Sequence, residues 1–167
     1  VIFRYQNCAY ICNMPSISIV ISYYKALGDL KLILKALNQQ SKSDFEVIIS
    51  EDDTTQNTKI FLNNNQPKYN FPILHNYQSE DLGFRKNMML NRAILSANAE
   101  MLVFIDGDCI PETDLVKDHK KLNSLGIPDL SVGRRRDEKH NWKDQREIDN
   151  VVKGAKLFSS GNGYVVQ

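Results

Sequence analysis

Apolar residues along the chain follow a strand-like spacing and a helix-like spacing in turn. Residues 17–22 form a β-branched run typical of a buried strand, and the apolar positions from Leu27 to Leu37 then recur at helical spacing. Further strands are predicted at 45–50, 71–75, 101–105 and 130–132. Further helices are predicted from Thr54 or Thr55, over 84–97 and over 111–125. A polar loop is predicted at 63–69. Strands that alternate with helices favour an α/β domain with a mostly parallel sheet flanked by helices, and the ligand site then lies beyond the carboxyl ends of the strands.

The composition fits one domain without a strong attraction to polyanions. The 167 residues are 42 % apolar, which suffices for one core, and 21 Lys and Arg against 20 Asp and Glu leave a net charge of +1. We therefore expect no nucleic-acid partner. No apolar run approaches the roughly 20 residues that cross a bilayer, so no transmembrane segment is expected in this chain.

The cysteines indicate where in the cell the protein is located, and the two ends of the chain indicate the bounds of its domain. Three cysteines without a repeated C-x-x-C argue against a disulfide scaffold or zinc ribbon, so we expect reduced thiols and a cytoplasmic location, with the inner face of the membrane as the alternative. Residues 1–13 lack the features of a signal peptide, and residues 1–15 are interpreted as an N-terminal extension to a domain over 16–167. The last residues before Gln167 are typical of the middle of a strand, so we expect a piece of a longer protein, truncated at its C-terminus.

Two acidic clusters follow strands and carry the candidate chemistry. Asp106-Gly107-Asp108 ends the strand at 101–105, and two carboxylates separated by a glycine can both approach a divalent cation while a phosphate comes close to Gly107. An ordinary acidic turn is the alternative. A second cluster, Glu51-Asp52-Asp53, ends the strand at 45–50, and a parallel sheet brings both to one edge. Like charges gathered there repel one another unless a ligand compensates them, which favours a binding site.

Five segments occur in an order that is informative as a set. They are SIVISYY at 18–24, VIISEDDT at 47–54, GFRKN at 83–87, NRAI at 91–94 and FIDGDCIP at 104–111. Together they resemble a family 2 glycosyltransferase with a GT-A fold, in particular the bacterial branch that includes chondroitin-polymerase-like transferases. Residues 160–162 further resemble a Gly-Asn segment that lies beside the donor sugar in these enzymes.

The resemblance implies a nucleoside site at the ends of the first two strands. Asp52 matches the acidic residue that accepts a hydrogen bond from the uracil ring, and Ser22, Tyr23 and Tyr24 would flank the nucleoside. Asp53 stands where many relatives have glycine, so which carboxylate of the cluster meets the base stays open at this point.

The resemblance also implies a metal and diphosphate site. Asp106 matches the first carboxylate of a DxD motif, near the ribose and the metal, and Asp108 matches the direct ligand of Mn²⁺ or Mg²⁺. Arg85 and Lys86 would present cations to the pyrophosphate. Gly161 and Asn162 would lie beside the donor sugar.

The function implied is transfer of a hexose or N-acetylhexosamine from a UDP-sugar to a carbohydrate acceptor, with inversion, in cell-surface polysaccharide synthesis. The Glu-Asp motif that supplies the catalytic base in such enzymes follows the Gly-Asn segment, so the catalytic residue is expected beyond Gln167. Two alternatives stay open: a phosphohydrolase that forms a phosphoaspartate at the DxD, and a domain that binds nucleotide without turnover.

Overall fold

The protein contains a parallel sheet at its centre. A computed structural model describes residues 14–125 of the chain. The strands are β1 (Ile17–Tyr23), β2 (Phe45–Glu51), β3 (Ile73–Tyr77) and β4 (Met101–Asp106). They pair in the order β3-β2-β1-β4, and every pairing is parallel. The predicted α/β class and parallel sheet are confirmed.

Helices cover both faces of the sheet. They are α1 (Leu27–Leu37), α2 (Asn57–Asn65), α3 (Lys86–Ser96) and α4 (Leu115–Ser124), with a short 3₁₀ turn at Gln66–Lys68. The larger core joins one face to α1, α2 and α4, and includes Leu34, Leu62 and Val116 from these helices. On the other face, Ala93 of α3 packs against Val20 and Ile48. Every residue of β2 is buried, as expected for a central parallel strand covered on both faces.

The register brings the two acidic clusters to opposite sides of one strand end. Ser22, near the end of β1, pairs with Asp106 of β4 on one side and with Ser50 of β2 on the other. Tyr23 pairs with Glu51, the first residue of the second acidic cluster. Both clusters therefore lie at the carboxyl edge of the sheet, as the sequence predicts.

The structure corrects the predicted boundaries of two helices. Helix α2 begins at Asn57, and no side chain caps it, so the predicted cap at Thr54 or Thr55 is wrong. The Thr55 hydroxyl instead hydrogen-bonds with Asp53. The predicted loop at 63–69 contains the end of α2 and the 3₁₀ turn.

Helix α4 begins at Leu115, four residues after the predicted start at Pro111. The loop after α1 explains the delay, because Gln40 Nε2 donates to the Glu112 carbonyl at 2.5 Å and Ser41 N–H donates to the Thr113 carbonyl at 3.0 Å. Gln40 Oε1 also accepts the Val116 N–H at 3.1 Å and thereby satisfies one free donor of the first turn. The predicted strand at 130–132 lies outside the described residues.

Among residues 14–125, no helix combines the length and apolar character that crossing a membrane requires.

Candidate functional site

A cleft of about 380 Å³ opens at the carboxyl edge of the sheet. The predicted site residues that line it are Ser22, Tyr23, Tyr24, Asp52, Lys86, Asp106, Gly107 and Asp108. The cleft is also lined by three residues that the sequence analysis did not single out, Ala26, Asp29 and Phe84. Gly161 and Asn162 lie outside the described residues. The structure thus brings the ends of β1, β2 and β4 and the start of α3 together around one space.

Gly107 sits where a side chain cannot be placed. A Cβ atom at this position would lie 2.6 Å from the Ser22 carbonyl oxygen and 3.3 Å from Tyr23 Cα, both backbone atoms of β1. The turn is closed by the Cys109 N–H, which donates to the Asp106 carbonyl at 3.0 Å. Because residue 107 is glycine, the turn that contains the two carboxylates packs directly against the end of β1.

The two aspartates of this turn fit a hard divalent cation. One ligand atom from each of Asp106, Asp108 and Cys109 lies within 4.8 Å of the others, and both carboxylates are exposed. Carboxylate oxygens suit Mg²⁺ and Mn²⁺, which usually keep water and phosphate oxygens as their remaining ligands. Exposure of both carboxylates to the cleft leaves room for such ligands.

Lys86 places a positive charge in the same cleft. Its Nζ lies 3.2 Å from Asp106 Oδ1, and it is the first residue of α3. Both side chains are substantially exposed, so the pair adds little to stability. The lysine is thus free to exchange its carboxylate partner for another anion at little cost.

Asp52 is a buried carboxylate that organises the cleft wall. It is 6 % exposed, and its two oxygens accept the Arg85 N–H at 2.9 and 3.0 Å. Its own N–H donates to the Tyr23 carbonyl at 3.0 Å, which joins the end of β2 to β1. The Arg85 side chain does not line the cleft, and its Nε donates to the Leu82 carbonyl at 3.1 Å.

Gln78 is a site residue that the sequence analysis missed. Its buried side chain donates from Nε2 to Asp52 Oδ1 at 2.5 Å and to the Gly83 carbonyl at 3.0 Å, while Oε1 accepts the Leu82 N–H at 3.3 Å. It directly follows β3, the neighbour of β2. The rule that placed the acidic clusters at one edge did not find it, because the strand predicted at 71–75 ends two residues before β3 does, and the rule then indicates Asn76.

The other two carboxylates of the second cluster lie outside the cleft lining. Glu51 is fully buried, accepts a hydrogen bond from Thr58 Oγ1 at 2.7 Å, and lies 2.6 Å from His75 Nε2. Asp53 is also buried and lies 3.7 Å from Lys25 Nζ. Of this cluster, Asp52 is the member that faces the cleft.

The environment of Asp53 favours its charged form. Burial by itself would raise the pKa of this carboxyl, but hydrogen bonds from Thr55 and Thr54 and the charge of Lys25 lower the pKa below its ordinary value. At the end of β1, burial raises the pKa of Tyr23 above its ordinary value. These groups keep fixed protonation states around neutral pH.

Sequence comparison gives a family and a relative. The model of the family described as Glycosyl transferase family 2 matches residues 18–162. The chain is 30 % identical over 105 residues to a protein of Bacillus subtilis (strain 168) named uncharacterized glycosyltransferase YfnE. That match covers 62 % of this chain and 26 % of the relative, so the chain spans about a quarter of the relative's length.

Two solved structures share the fold. The mannosyltransferase PcManGT from Pyrobaculum calidifontis, in complex with GDP-Man and Mn²⁺, matches 85 % of this chain and 39 % of its own with a TM-score of 0.61 and 19 % identity. S. aureus TarS 1-349, in complex with UDP-GlcNAc, matches 77 % of this chain and 38 % of its own with a TM-score of 0.55 and 19 % identity. These likenesses confirm the predicted GT-A fold.

Proposed function

The chain belongs to glycosyl transferase family 2, and from that premise we propose that it binds a UDP-sugar with a divalent cation and transfers the sugar to a carbohydrate acceptor with inversion. The observation that carries the proposal is the contact of Gly107 with the end of β1, which holds Asp106 and Asp108 in the cleft that Asp52 lines. Family membership favours this activity over the phosphohydrolase alternative. The chondroitin-polymerase-like branch and a role in cell-surface polysaccharide synthesis remain predictions from the resemblance.

Each side chain in the cleft has a proposed task. Asp106 and Asp108 hold Mn²⁺ or Mg²⁺, and Lys86 contacts the diphosphate. Asp52 accepts a hydrogen bond from the uracil ring, and the backbone of Ser22 and the two tyrosines that follow it flank the nucleoside. A cation at the DxD turn would neutralise the charge that develops on the departing nucleoside diphosphate. Acceptor attack needs a positioned base to take the hydroxyl proton.

The remaining predicted contacts have less direct support. Arg85 reaches Asp52 through its backbone N–H, so a role of its guanidinium at the pyrophosphate remains a prediction. The predicted nucleotide contact of Asp53 also remains open, as do the sugar contacts of Gly161 and Asn162. The two solved structures support a nucleotide-sugar in this fold, with UDP-GlcNAc in one and GDP-Man in the other.

Titration calorimetry of UDP with Mn²⁺ and with EDTA tests the metal assignment. We expect clearly tighter binding with Mn²⁺, because Asp106 and Asp108 otherwise face the diphosphate as like charges. GDP titrated in parallel tests whether the site prefers uracil to guanine as the nucleobase. Equal UDP affinity in both conditions would contradict the metal site.

Two substitutions separate the two halves of the site. Asp108→Asn should weaken UDP binding with Mn²⁺ and leave uridine binding unchanged. Asp52→Asn should weaken uridine binding even without metal, by about 1–3 kcal/mol, or roughly tenfold to a hundredfold. Glu80→Gln removes an exposed carboxylate outside the cleft lining and is the matched control. Wild-type binding of uridine and UDP by both aspartate variants would show that the nucleotide site is elsewhere.

A further inference from the structure

The phenyl ring of Phe84 stands at the rim of the cleft. Phe84 is 86 % exposed and lines the cleft, and Tyr24, which is 58 % exposed, lines it as well. Single exposed apolar residues are common on protein surfaces and need no explanation by themselves. Phe84 differs because its aromatic face borders a cleft whose wall contains the buried carboxylate of Asp52.

The backbone on both sides of this ring is anchored. The N–H of Arg85, the next residue, donates to both oxygens of Asp52, and the carbonyl of Gly83, the preceding residue, accepts Gln78 Nε2. Gly83 adopts a φ of +73°, which a residue with a side chain rarely adopts, and its N–H donates to Asp81 Oδ1 at 3.0 Å. The exposure of Phe84 is therefore a property of an ordered turn, and the turn fixes the backbone of Phe84 relative to Asp52.

We propose that Phe84 stacks on the face of the donor's nucleobase while Asp52 holds the edge of the same base. This inference rests on the proposed function, since it requires a nucleotide in the cleft. Stacking on an aromatic ring tolerates any base, because every base has a π-face, whereas hydrogen bonding at the edge discriminates between bases. Phe84 thus supplies affinity without selectivity, and the Asp52–Gln78 contact sets the position of both groups.

The test measures the binding of uridine, guanosine and UDP to the full 167-residue chain in EDTA, where the cation makes no contribution. Phe84→Ala should lower the affinity for each ligand about tenfold, equivalent to about 1.4 kcal/mol. Phe84→Trp should keep the affinity within about twofold of the wild type, since the larger ring also stacks. The H5 and H6 resonances of uracil should shift upfield on binding to the wild type and lose most of that shift with Phe84→Ala.

Leu95→Ala is the matched control. Leu95 is 87 % exposed, lies on α3, and is outside the cleft lining, so its loss removes similar exposed apolar surface without touching the ligand. Wild-type uridine affinity of Phe84→Ala overturns the inference, and so does a loss that appears with UDP but not with uridine, which would place the ring beside the diphosphate. If the wild type binds uridine and UDP but Phe84→Ala does so equally well, the proposed function stands and the stacking fails. Absence of UDP binding by the wild type, with or without Mn²⁺, overturns both.

Discussion

Gly107 has no Cβ, and this lets the DxD turn approach the backbone of β1 closely. Gly107→Ala would place its Cβ 2.6 Å from the Ser22 carbonyl oxygen, and since that oxygen belongs to the backbone, the turn or the strand must move. We expect a loss of about 1–3 kcal/mol in unfolding free energy and weaker Mn²⁺-dependent UDP binding. Urea unfolding and calorimetry measure the two effects.

Gly28→Ala provides the control for that substitution. Gly28 lies in α1, and a Cβ there would meet nothing within 4 Å. Alanine should therefore stabilise the protein by about 0.5–1 kcal/mol through the unfolded chain and the helix, without changing UDP binding. Wild-type stability and binding of Gly107→Ala would show that the turn adapts and that the close contact has no consequence.

Individual residues of the site could be predicted from the sequence where they belong to a motif or follow a predicted strand. Asp106, Asp108 and Asp52 follow apolar strands, and the α/β alternation was enough to bring them to one edge. Gln78 was missed because nothing in its own segment distinguishes a buried glutamine from an exposed one. Its role depends on the β2–β3 pairing and on the turn before α3, which are long-range features.

Apolar spacing together with helix-end signals predicted the existence and type of each α-helix and strand described, but not the 3₁₀ turn, and long-range contacts set the boundaries. The late start of α4 is one example, because the carbonyls of Glu112 and Thr113 accept hydrogen bonds from the loop after α1. The strand order β3-β2-β1-β4 is another, since periodicity within a strand does not specify its neighbour. The sequence thus predicts a parallel sheet but not which two strands flank β1.

Helix α4 contains a histidine that should make stability depend on pH. Burial lowers the pKa of His119 below its ordinary 6.5, although Asp118 opposes the shift. The unfolded chain therefore binds more protons than the folded one as the pH falls below 6.5, so the neutral histidine's contribution is complete above that value and declines below it. We expect His119→Gln to lose less stability than the wild type between about pH 7.5 and about pH 5.5.

Urea midpoints of both proteins at the two pH values measure this difference. His75, which lies beside Glu51, is present in both proteins and therefore does not alter the comparison. Identical pH dependence in the variant and the wild type would show that burial of His119 has no net effect on its protonation.

At the level of the molecule, the two edges of the sheet perform different tasks. The carboxyl edge contains the cleft, whereas the amino edge contains the buried carboxylate of Glu46, which hydrogen-bonds only with neighbouring protein groups in the described residues. Glu46 Oε1 accepts the Ser18 hydroxyl at 2.6 Å and the Asn98 N–H at 2.7 Å, and Oε2 accepts Asn98 Nδ2 at 2.8 Å. Ser18 Oγ in turn accepts the Ala99 N–H at 3.1 Å. This network joins β1 and β2 to the connection between α3 and β4.

Stability and ligand binding should therefore respond to different substitutions. Glu46→Ala leaves the buried Ser18 hydroxyl and the two Asn98 donors without their acceptor, so we expect a loss of about 1–3 kcal/mol in unfolding free energy. UDP affinity with Mn²⁺ should stay at the wild-type value under conditions where the variant is folded, because the cleft lies at the opposite edge. Glu46→Gln, which keeps Oε1, should lose less stability.

Asp108→Asn should show the reverse, with normal urea unfolding and weak UDP binding. If Glu46→Ala weakened UDP binding as much as Asp108→Asn does while still folded, the two edges would be coupled through the strands, and the separation of tasks would be wrong.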